Sequence, residues 1–160
     1  MICRHSLEIF SNENMSAPGE TSLPKLLQSM NPTLHPDTFV FGHLPAPSDD
    51  DFQNVLRVLV SVPTQMLFRE DEGWTAVVQE EVAQGIGLDY VFPCKKITLN
   101  VQSSLEAVGF MAAVATRLAS EVACGINPVS GYHHDHLFVP VGKENAVMEA
   151  LRKLSSEQSS

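Results

Sequence analysis

The sequence is poor in cysteine and has no long apolar run, and each absence excludes a class of protein. Its three cysteines, Cys3, Cys94 and Cys124, are an odd number without a C-x-x-C pair, which argues against a disulfide scaffold or a zinc knuckle and fits a reducing compartment. No run approaches the ~18 apolar residues that cross a bilayer. Residues 1–10 also lack the apolar stretch of a signal peptide. We therefore expect a cytoplasmic protein that has no membrane partner.

Basic side chains are also scarce. The chain has 10 Lys and Arg against 19 Asp and Glu, which gives a formal net charge of −9. The excess lies in residues 1–94, with thirteen acidic and four basic side chains, whereas residues 95–160 have six of each. An acidic surface repels phosphate backbones, and no basic cluster with interleaved aromatics is present, so we expect no nucleic-acid partner. The acidic half suits a protein partner that has a basic docking surface.

The remaining composition indicates a globular α+β protein. With 160 residues, of which 44% are hydrophobic, the chain has enough material for one compact core or for two small halves that share one. Residues 1–20 are polar, show no period and are predicted to be a disordered leader. Residues 155–160 read as a polar tail.

The segment between the leader and residue 94 predicts several short elements. These are a helix over residues 23–30, a strand over 38–44, a hairpin from 65–69 and 74–79, a short helix over 80–87 and a strand over 90–92. The apolar segment 52–63 is compatible with a strand, a short helix or an insertion.

The C-terminal part has a clearer order of elements: a strand over 96–101, a helix over 104–121, strands over 126–132 and 136–141, and a helix over 143–154. Ser103-Ser104-Leu105-Glu106 is typical of a capping box with Ser103 as the N-cap. A buried face is predicted along this helix, formed by Leu105, Val108, Ala112, Ala115, Ala119 and Val122. The order β-α-β-β-α is a split βαβ unit that lacks its last strand, and we expect the N-terminal half to supply that strand.

Four runs of sequence resemble small microbial proteins built from two ACT-type units in tandem. They are EGWTAVV at 72–78, FPCKKITLNV at 92–101, SSLEAVG at 103–109 and GYHHDHLFVP at 131–140. The resemblance covers residues 20–154. It implies an α+β fold of ferredoxin-like βαββαβ units, two ACT-like halves in tandem with antiparallel sheets. Residues 21–94 would be a degenerate N-terminal half and residues 95–154 the C-terminal ACT domain. The apolar segment 55–62 and the leader before Met15 depart from this pattern.

The same resemblance implies a function and a site. ACT units commonly bind free amino acids and regulate enzymes or signalling complexes. We therefore expect an allosteric sensor that binds an amino acid or a similar small zwitterion, forms a homo-oligomer such as a dimer, and has neither catalytic activity nor a cofactor. By resemblance, the ligand contacts come from the loop before the 104–121 helix and from the facing strand. They are Gln102, Ser103, Ser104, Leu105, Asn127, Val129, Ser130, Gly131 and Asp135.

Physical chemistry supports the contacts at the helix start and at Asp135 independently of the resemblance. A helix start offers unpaired amide groups to a carboxylate, and Asp135 can accept a charge-assisted hydrogen bond from an ammonium group. The simpler interpretation is that Ser103 only caps the helix and Asp135 lies in a turn.

Half of the six histidines lie within residues 130–140, which leaves a second function open. Strand alternation would put His134 and His136 on one face and His133 and Asp135 on the other. Such a pair could supply two ligands to a metal ion, with His43 and Cys124 as further candidates. The alternative is therefore a metal-binding or metal-dependent protein that uses the His133–His136 cluster.

Overall fold

The computed structural model of the chain describes residues 19–45 and 50–158. The predicted leader lies outside these residues except for Gly19 and Glu20. The last two residues of the predicted tail also lie outside them. Residues 155–157 of that tail are helical, because the C-terminal helix continues to Glu157.

Eleven elements follow one another along the described chain. The helices are α1 (Leu23–Ser29), α2 (Asp50–Ser61), α3 (Glu80–Gly85), α4 (Phe110–Glu121) and α5 (Glu144–Glu157). The strands are β1 (Pro32–Pro45), β2 (Met66–Arg69), β3 (Gly73–Gln79), β4 (Tyr90–Leu99), β5 (Asn127–Ser130) and β6 (Asp135–Pro140). Among the described residues, no helix is both long enough and apolar enough to cross a membrane.

The six strands form one antiparallel sheet in the order β2-β3-β1-β4-β6-β5. The prediction was of two tandem halves with antiparallel sheets. Strand β1 is long enough to pair with β3 from Phe39 to Pro45 and with β4 from Pro32 to Gly42. The strand that follows the leader therefore lies beside β4, on the side away from β6. This is the place where the C-terminal β-α-β-β-α unit lacked a strand.

Two clusters of buried apolar side chains lie on one face of the sheet. In the first, α1, α4 and α5 cover Ile97 and Leu99 of β4 and Leu137 and Val139 of β6. In the second, Leu59 of α2 and Ala83 of α3 contact a group of β1 and β3 residues: Val40, Leu44, Ala76 and Val78. The strand register puts both groups on the same side. Each fully buried Leu or Val contributes about 1.5–3 kcal/mol to folding, so this side holds most of the core.

The opposite side of the sheet, which we call the open face, has a third cluster made only of strand residues. Phe39, Val77, Cys94 and Phe138 are buried there. Partly buried side chains surround them: Phe41, Met66, Phe92 and Val129. Among the described residues, no helix contributes to this cluster.

Two predictions about helices are corrected by the structure. The helix predicted over 104–121 begins only at Phe110, and its buried residues are Phe110, Val114 and Leu118. Leu105 and Val108, predicted to be buried, are 72% and 84% exposed. The ambiguous segment 52–63 is helical in α2, where Leu59 is buried and Val60 is exposed.

Candidate functional site

Asp135, the first residue of β6, has a buried carboxylate on the helix side of the sheet. The residue is 5% exposed, and each of its two carboxylate oxygens accepts a hydrogen bond from a serine hydroxyl. Ser103 Oγ donates to Oδ2 at 2.7 Å and Ser130 Oγ donates to Oδ1 at 2.5 Å. Ser130 is the neighbour of Asp135 across the β5–β6 pair. These charge-assisted bonds compensate for part of the cost of burying the carboxylate.

The bond from Ser103 explains why the predicted capping box is wrong. Its hydroxyl is directed to Asp135, and the amide of Glu106 instead donates to Ser104 Oγ at 3.2 Å within the loop. The N-cap of α4 is Gly109, whose φ of +91° is in the left-handed region that favours glycine. No side chain caps the helix.

The start of α4 contributes the second feature of the site. The amide groups of the first helical turn have no partner within the helix and give this end a partial positive charge. They belong to Phe110, Met111 and Ala112. Together with the β4–α4 loop and Asp135, they enclose a cavity of about 190 Å³. The cavity is lined by Ser103, Ser104, Leu105, Ala107, Gly109, Phe110, Met111, Ala112, Ser130 and Asp135.

The loop is held from outside by residues 19–22, which we call the strap. Glu20 N donates to the carbonyl of Gln102 at 2.9 Å, and Ser104 N donates to the carbonyl of Glu20 at 3.0 Å. Gly19 lies so close to the loop that a Cβ on it would meet Ser104 N at 2.5 Å. The backbone N–H of Ser104, at the start of the predicted helix, is therefore already bonded.

The structure brings five of the nine predicted contacts together around the cavity: Ser103, Ser104, Leu105, Ser130 and Asp135. The other four lie elsewhere. Asn127 and Val129 pair with Phe138 and His136, which puts them on the open face. Gln102 contacts the strap through its carbonyl, and Gly131 lies in the turn between β5 and β6, where its amide donates to the carbonyl of His134.

The three histidine side chains of the cluster have different hydrogen-bond and ring partners. His133 stacks edge-on against Tyr132, while His134 Nδ1 lies 3.4 Å from the carbonyl oxygen of Val101. His136 turns to the open face, and Asp135 turns to the helix side. In the part of the chain that the structure describes, no group of three or more His, Cys, Asp and Glu could hold a metal ion. The metal-binding alternative therefore has no site in the described residues.

His136 instead belongs to a hydrogen-bonded chain on the open face. The hydroxyl oxygen of Thr98 lies 2.8 Å from His35 Nε2 and 3.0 Å from His136 Nδ1. Burial lowers the pKa of both imidazoles, and the positive charge of Lys96 lowers them further. A single hydroxyl can donate to one ring nitrogen and accept from the other, so both imidazoles are satisfied in the neutral form.

Comparison with known proteins identifies the family. A family model described as the ACT domain matches residues 18–95. A protein from Vibrio cholerae, described as of unknown function and as a possible transport protein, is 38% identical. That match covers 84% of this chain and 97% of the other, with a TM-score of 0.70. Residues 18–95 therefore belong to the ACT-domain family, and most of the chain is related to the Vibrio cholerae protein.

More distant solved structures share the fold. The regulatory subunit of aspartate kinase from Thermus thermophilus, in its ligand-free form, is 13% identical. That match covers 79% of this chain and 98% of the other, with a TM-score of 0.59. Aspartokinase III from E. coli, in complex with aspartate and ADP, is 10% identical and has a TM-score of 0.59. Its match covers 77% of this chain and 32% of the enzyme. A comparison with curated proteins gives no match.

Sequence reasoning missed the start of α4 and the strap. Gly109 before the apolar run Phe110-Met111 was a usable signal, because a glycine can begin a helix. The capping-box pattern six residues earlier masked it. The strap had no local signal, since its hydrogen bonds join residues more than eighty positions apart in the chain.

Proposed function

We propose that this ACT-domain chain is a regulatory module that binds a free amino acid, or a similar small zwitterion, in the cavity before α4. In this proposal the chain has no catalytic activity and needs no cofactor. The observation that carries it is the buried carboxylate of Asp135, which shares one small cavity with the amide end of α4. The fold shared with an aspartate kinase regulatory subunit supports a regulatory role.

The two ends of the cavity match the two charges of an amino acid. Asp135 has one serine bond on each oxygen, and because a carboxylate oxygen can accept two hydrogen bonds, capacity for an ammonium group remains. The partial positive charge at Phe110–Ala112 suits the ligand carboxylate. Ser104 contributes its hydroxyl rather than its amide, because the amide is bonded to the strap.

The cavity favours a small ligand. Its volume is about 190 Å³, and its lining includes the small residues Ala107, Gly109 and Ala112. A ligand with a short side chain fits such a space better than an aromatic one. We therefore expect glycine, alanine, serine or a similarly small amino acid to bind in preference to tryptophan or tyrosine.

The proposal includes two related halves, residues 21–94 and residues 95–154. The strand order β4-β1-β3-β2 supports a βαββαβ unit in the first half, and β1-β4-β6-β5 supports the same order in the second, with β1 as its returning strand. The two halves would therefore share β1 and β4. We expect the regulated partner to be another protein, with a homo-oligomer as the working form.

Isothermal titration calorimetry and thermal unfolding with each of the twenty common amino acids test the site. At 100 times its dissociation constant, a ligand that binds only the folded chain stabilises it by about 2.7 kcal/mol. Asp135→Asn removes a charge-assisted bond worth about 1.5–3 kcal/mol, so we expect the affinity to fall by at least about tenfold.

Glu106→Gln is the matched control, because Glu106 is an exposed carboxylate of the same loop that does not line the cavity. It should leave the affinity unchanged. Amino-acid binding that is equally strong in Asp135→Asn would place the ligand elsewhere. The absence of binding by all twenty would refute the amino-acid proposal itself.

A further inference from the structure

The strap is bonded to the β4–α4 loop on both sides of Ser103. The amide of Glu20 donates to the carbonyl of Gln102, and the carbonyl of Glu20 accepts from the amide of Ser104. The two bonds form a parallel β-bridge between Glu20 and Ser103. The hydroxyl of Ser103 donates to Asp135 at 2.7 Å. The residue that bonds the buried carboxylate is therefore the residue whose backbone the strap holds.

Gly19 allows the strap to lie very close to this part of the loop. A Cβ on Gly19 would lie 2.5 Å from the nitrogen of Ser104, 2.6 Å from the carbonyl carbon of Ser103 and 2.7 Å from the carbonyl oxygen of Gln102. All three atoms belong to the backbone, so they cannot rotate away as the end of a side chain can. Because glycine has no Cβ, it permits this approach. We expect any larger residue at position 19 to separate the strap from the loop.

Helix α1, which follows the strap directly, contacts the other end of the same loop. The carboxylate of Glu20 accepts hydrogen bonds from the next two amides of the chain, at 2.9 and 2.8 Å, and so connects the strap to the start of α1. Leu26 is fully buried and anchors this helix in the core. Leu23, its first residue, lies beside Gly109, where a Cβ would be 3.5 Å from Leu23 Cδ2. The strap and α1 therefore hold the loop near both of its ends, at residues 102–104 and at Gly109.

The two ends of the loop carry the two charge-binding groups of the proposed site. At one end, Ser103 is bonded to Asp135, to which the proposal assigns the ammonium group. At the other end, Gly109 precedes the α4 amides, to which it assigns the carboxylate. Residues 19–22 do not line the cavity themselves, so they can affect a ligand only through the loop. A loop that already has the geometry of the bound state lowers the cost of binding.

We propose that Gly19 and Glu20 are positioning residues of the amino-acid site, an inference that rests on the proposed function. The attached strap fixes the Ser103 hydroxyl on Asp135 and sets the separation of the two charge-binding ends. Attachment of the strap and occupation of the cavity then stabilise each other, because coupling between two sites is reciprocal. When the strap is detached, the apparent affinity for the ligand falls in proportion to the fraction of chains whose loop is still ordered.

Isothermal titration calorimetry of the full chain with L-alanine and with glycine measures this coupling in one direction. We expect Gly19→Val to weaken the binding of both amino acids at least about tenfold. Thr21→Val is the matched control, since it introduces the same side chain at an exposed position of the strap, and it should bind as the wild type does. In the other direction, saturating L-alanine should slow the hydrogen exchange of the Glu20 amide, which is bonded to the loop but does not line the cavity.

The three-bond Hα–Hβ couplings of Ser103, measured by NMR in the ligand-free chain, give a result that does not depend on binding. A fixed rotamer gives couplings that differ from the average over the three staggered positions. We expect a fixed rotamer in the wild type and averaged couplings in Gly19→Val. Ser130, which bonds the other oxygen of Asp135, should keep its rotamer in both proteins.

Far-UV circular dichroism decides whether each variant is folded. If Gly19→Val does not fold, Gly19→Ala takes its place, because its single Cβ meets the same backbone atoms. Unchanged couplings of Ser103 in the folded variant would overturn the proposal, and so would an unchanged affinity for L-alanine. If the wild type binds no amino acid, the proposed function fails, and the couplings still decide whether the strap positions Ser103.

Discussion

The hydroxyl of Thr98 is shared by two imidazoles that approach it from neighbouring strands. Thr98 is buried, and both His35 and His136 contact its single oxygen atom. Burial is the main cause that lowers the pKa of each imidazole. Protonation of the ring whose nitrogen accepts from the hydroxyl would convert that nitrogen into a donor and break the pattern of one donor for each acceptor.

This cluster predicts that the fold loses stability in mild acid. The unfolded chain takes up protons at the ordinary histidine pKa of 6.5, while the folded imidazoles resist protonation. The free energy of unfolding should therefore be constant above about pH 7.5. It should fall as the pH drops from 6.5 through the lowered folded pKa values. Urea unfolding at half-unit intervals from pH 8 to pH 5 measures this dependence.

His136→Gln removes one titrating group and leaves an amide that can still contact Thr98. We expect a smaller decrease in stability between pH 7 and pH 5 than in the wild type. The charges near His136 act in both directions: Lys96, His134 and His35 lower its pKa, whereas Asp135 raises it. An unchanged pH profile in His136→Gln would assign the acid sensitivity to other groups.

Single residues also show why part of the site was not predictable. The pattern Ser103 to Glu106 satisfies every local criterion of a capping box, but Ser103 is bonded to Asp135, thirty-two positions away. A bond to a buried carboxylate is stronger than a bond to a neutral amide, so the tertiary contact decides the local structure. The prediction of Asp135 beside the loop came from the family resemblance, which already contains tertiary information.

At the scale of elements, the strap determines how the β4–α4 loop is held. Replacing Gly19 with Val would place a Cβ within 2.7 Å of three backbone atoms, Ser104 N, Ser103 C and Gln102 O. Backbone atoms cannot move aside as a side chain can, so the strap must lift. We expect Gly19→Val to lose the two main-chain bonds of Glu20 and about 1–3 kcal/mol of stability.

Hydrogen exchange measures this directly, because the amide of Ser104 donates to Glu20. Its exchange should accelerate in Gly19→Val while the amides of β6 keep their protection. Gly125→Val is the control: no atom lies within 4 Å of its Cβ position, so Ser104 should exchange as in the wild type. Equal protection of Ser104 in all three proteins would show that the strap does not hold the loop.

The element order was predictable from sequence to a large extent, whereas burial was not. Hydrophobic alternation located the hairpin β2–β3 and the strands β5 and β6 close to their observed bounds. The face of α4 was wrong because small residues at Ala112 and Ala119 imitate a packed stripe. The larger Phe110, Val114 and Leu118, four positions apart, are the residues that become buried.

For the whole molecule, the central strands make the two ends of the sheet interdependent. Strand β1 pairs with both β3 and β4, and β4 pairs with both β1 and β6. The need for an additional strand beside β4 was predictable, because an open edge favours pairing. The length of β1 was not predictable, because Pro32, Pro36 and the turn residues around them indicated a loop.

This sharing predicts that the described chain unfolds as one cooperative unit. Trp74, the single tryptophan, lies in β3 and reports on one end of the sheet, whereas Leu137 is fully buried in β6 at the other. Leu137→Ala should cost about 2–5 kcal/mol and shift the urea midpoint of Trp74 fluorescence as far as that of far-UV circular dichroism. Val108→Ala, at an 84% exposed position, should shift neither. A Trp74 transition that stays in place in Leu137→Ala would mean that the two ends unfold independently, despite the strands they share.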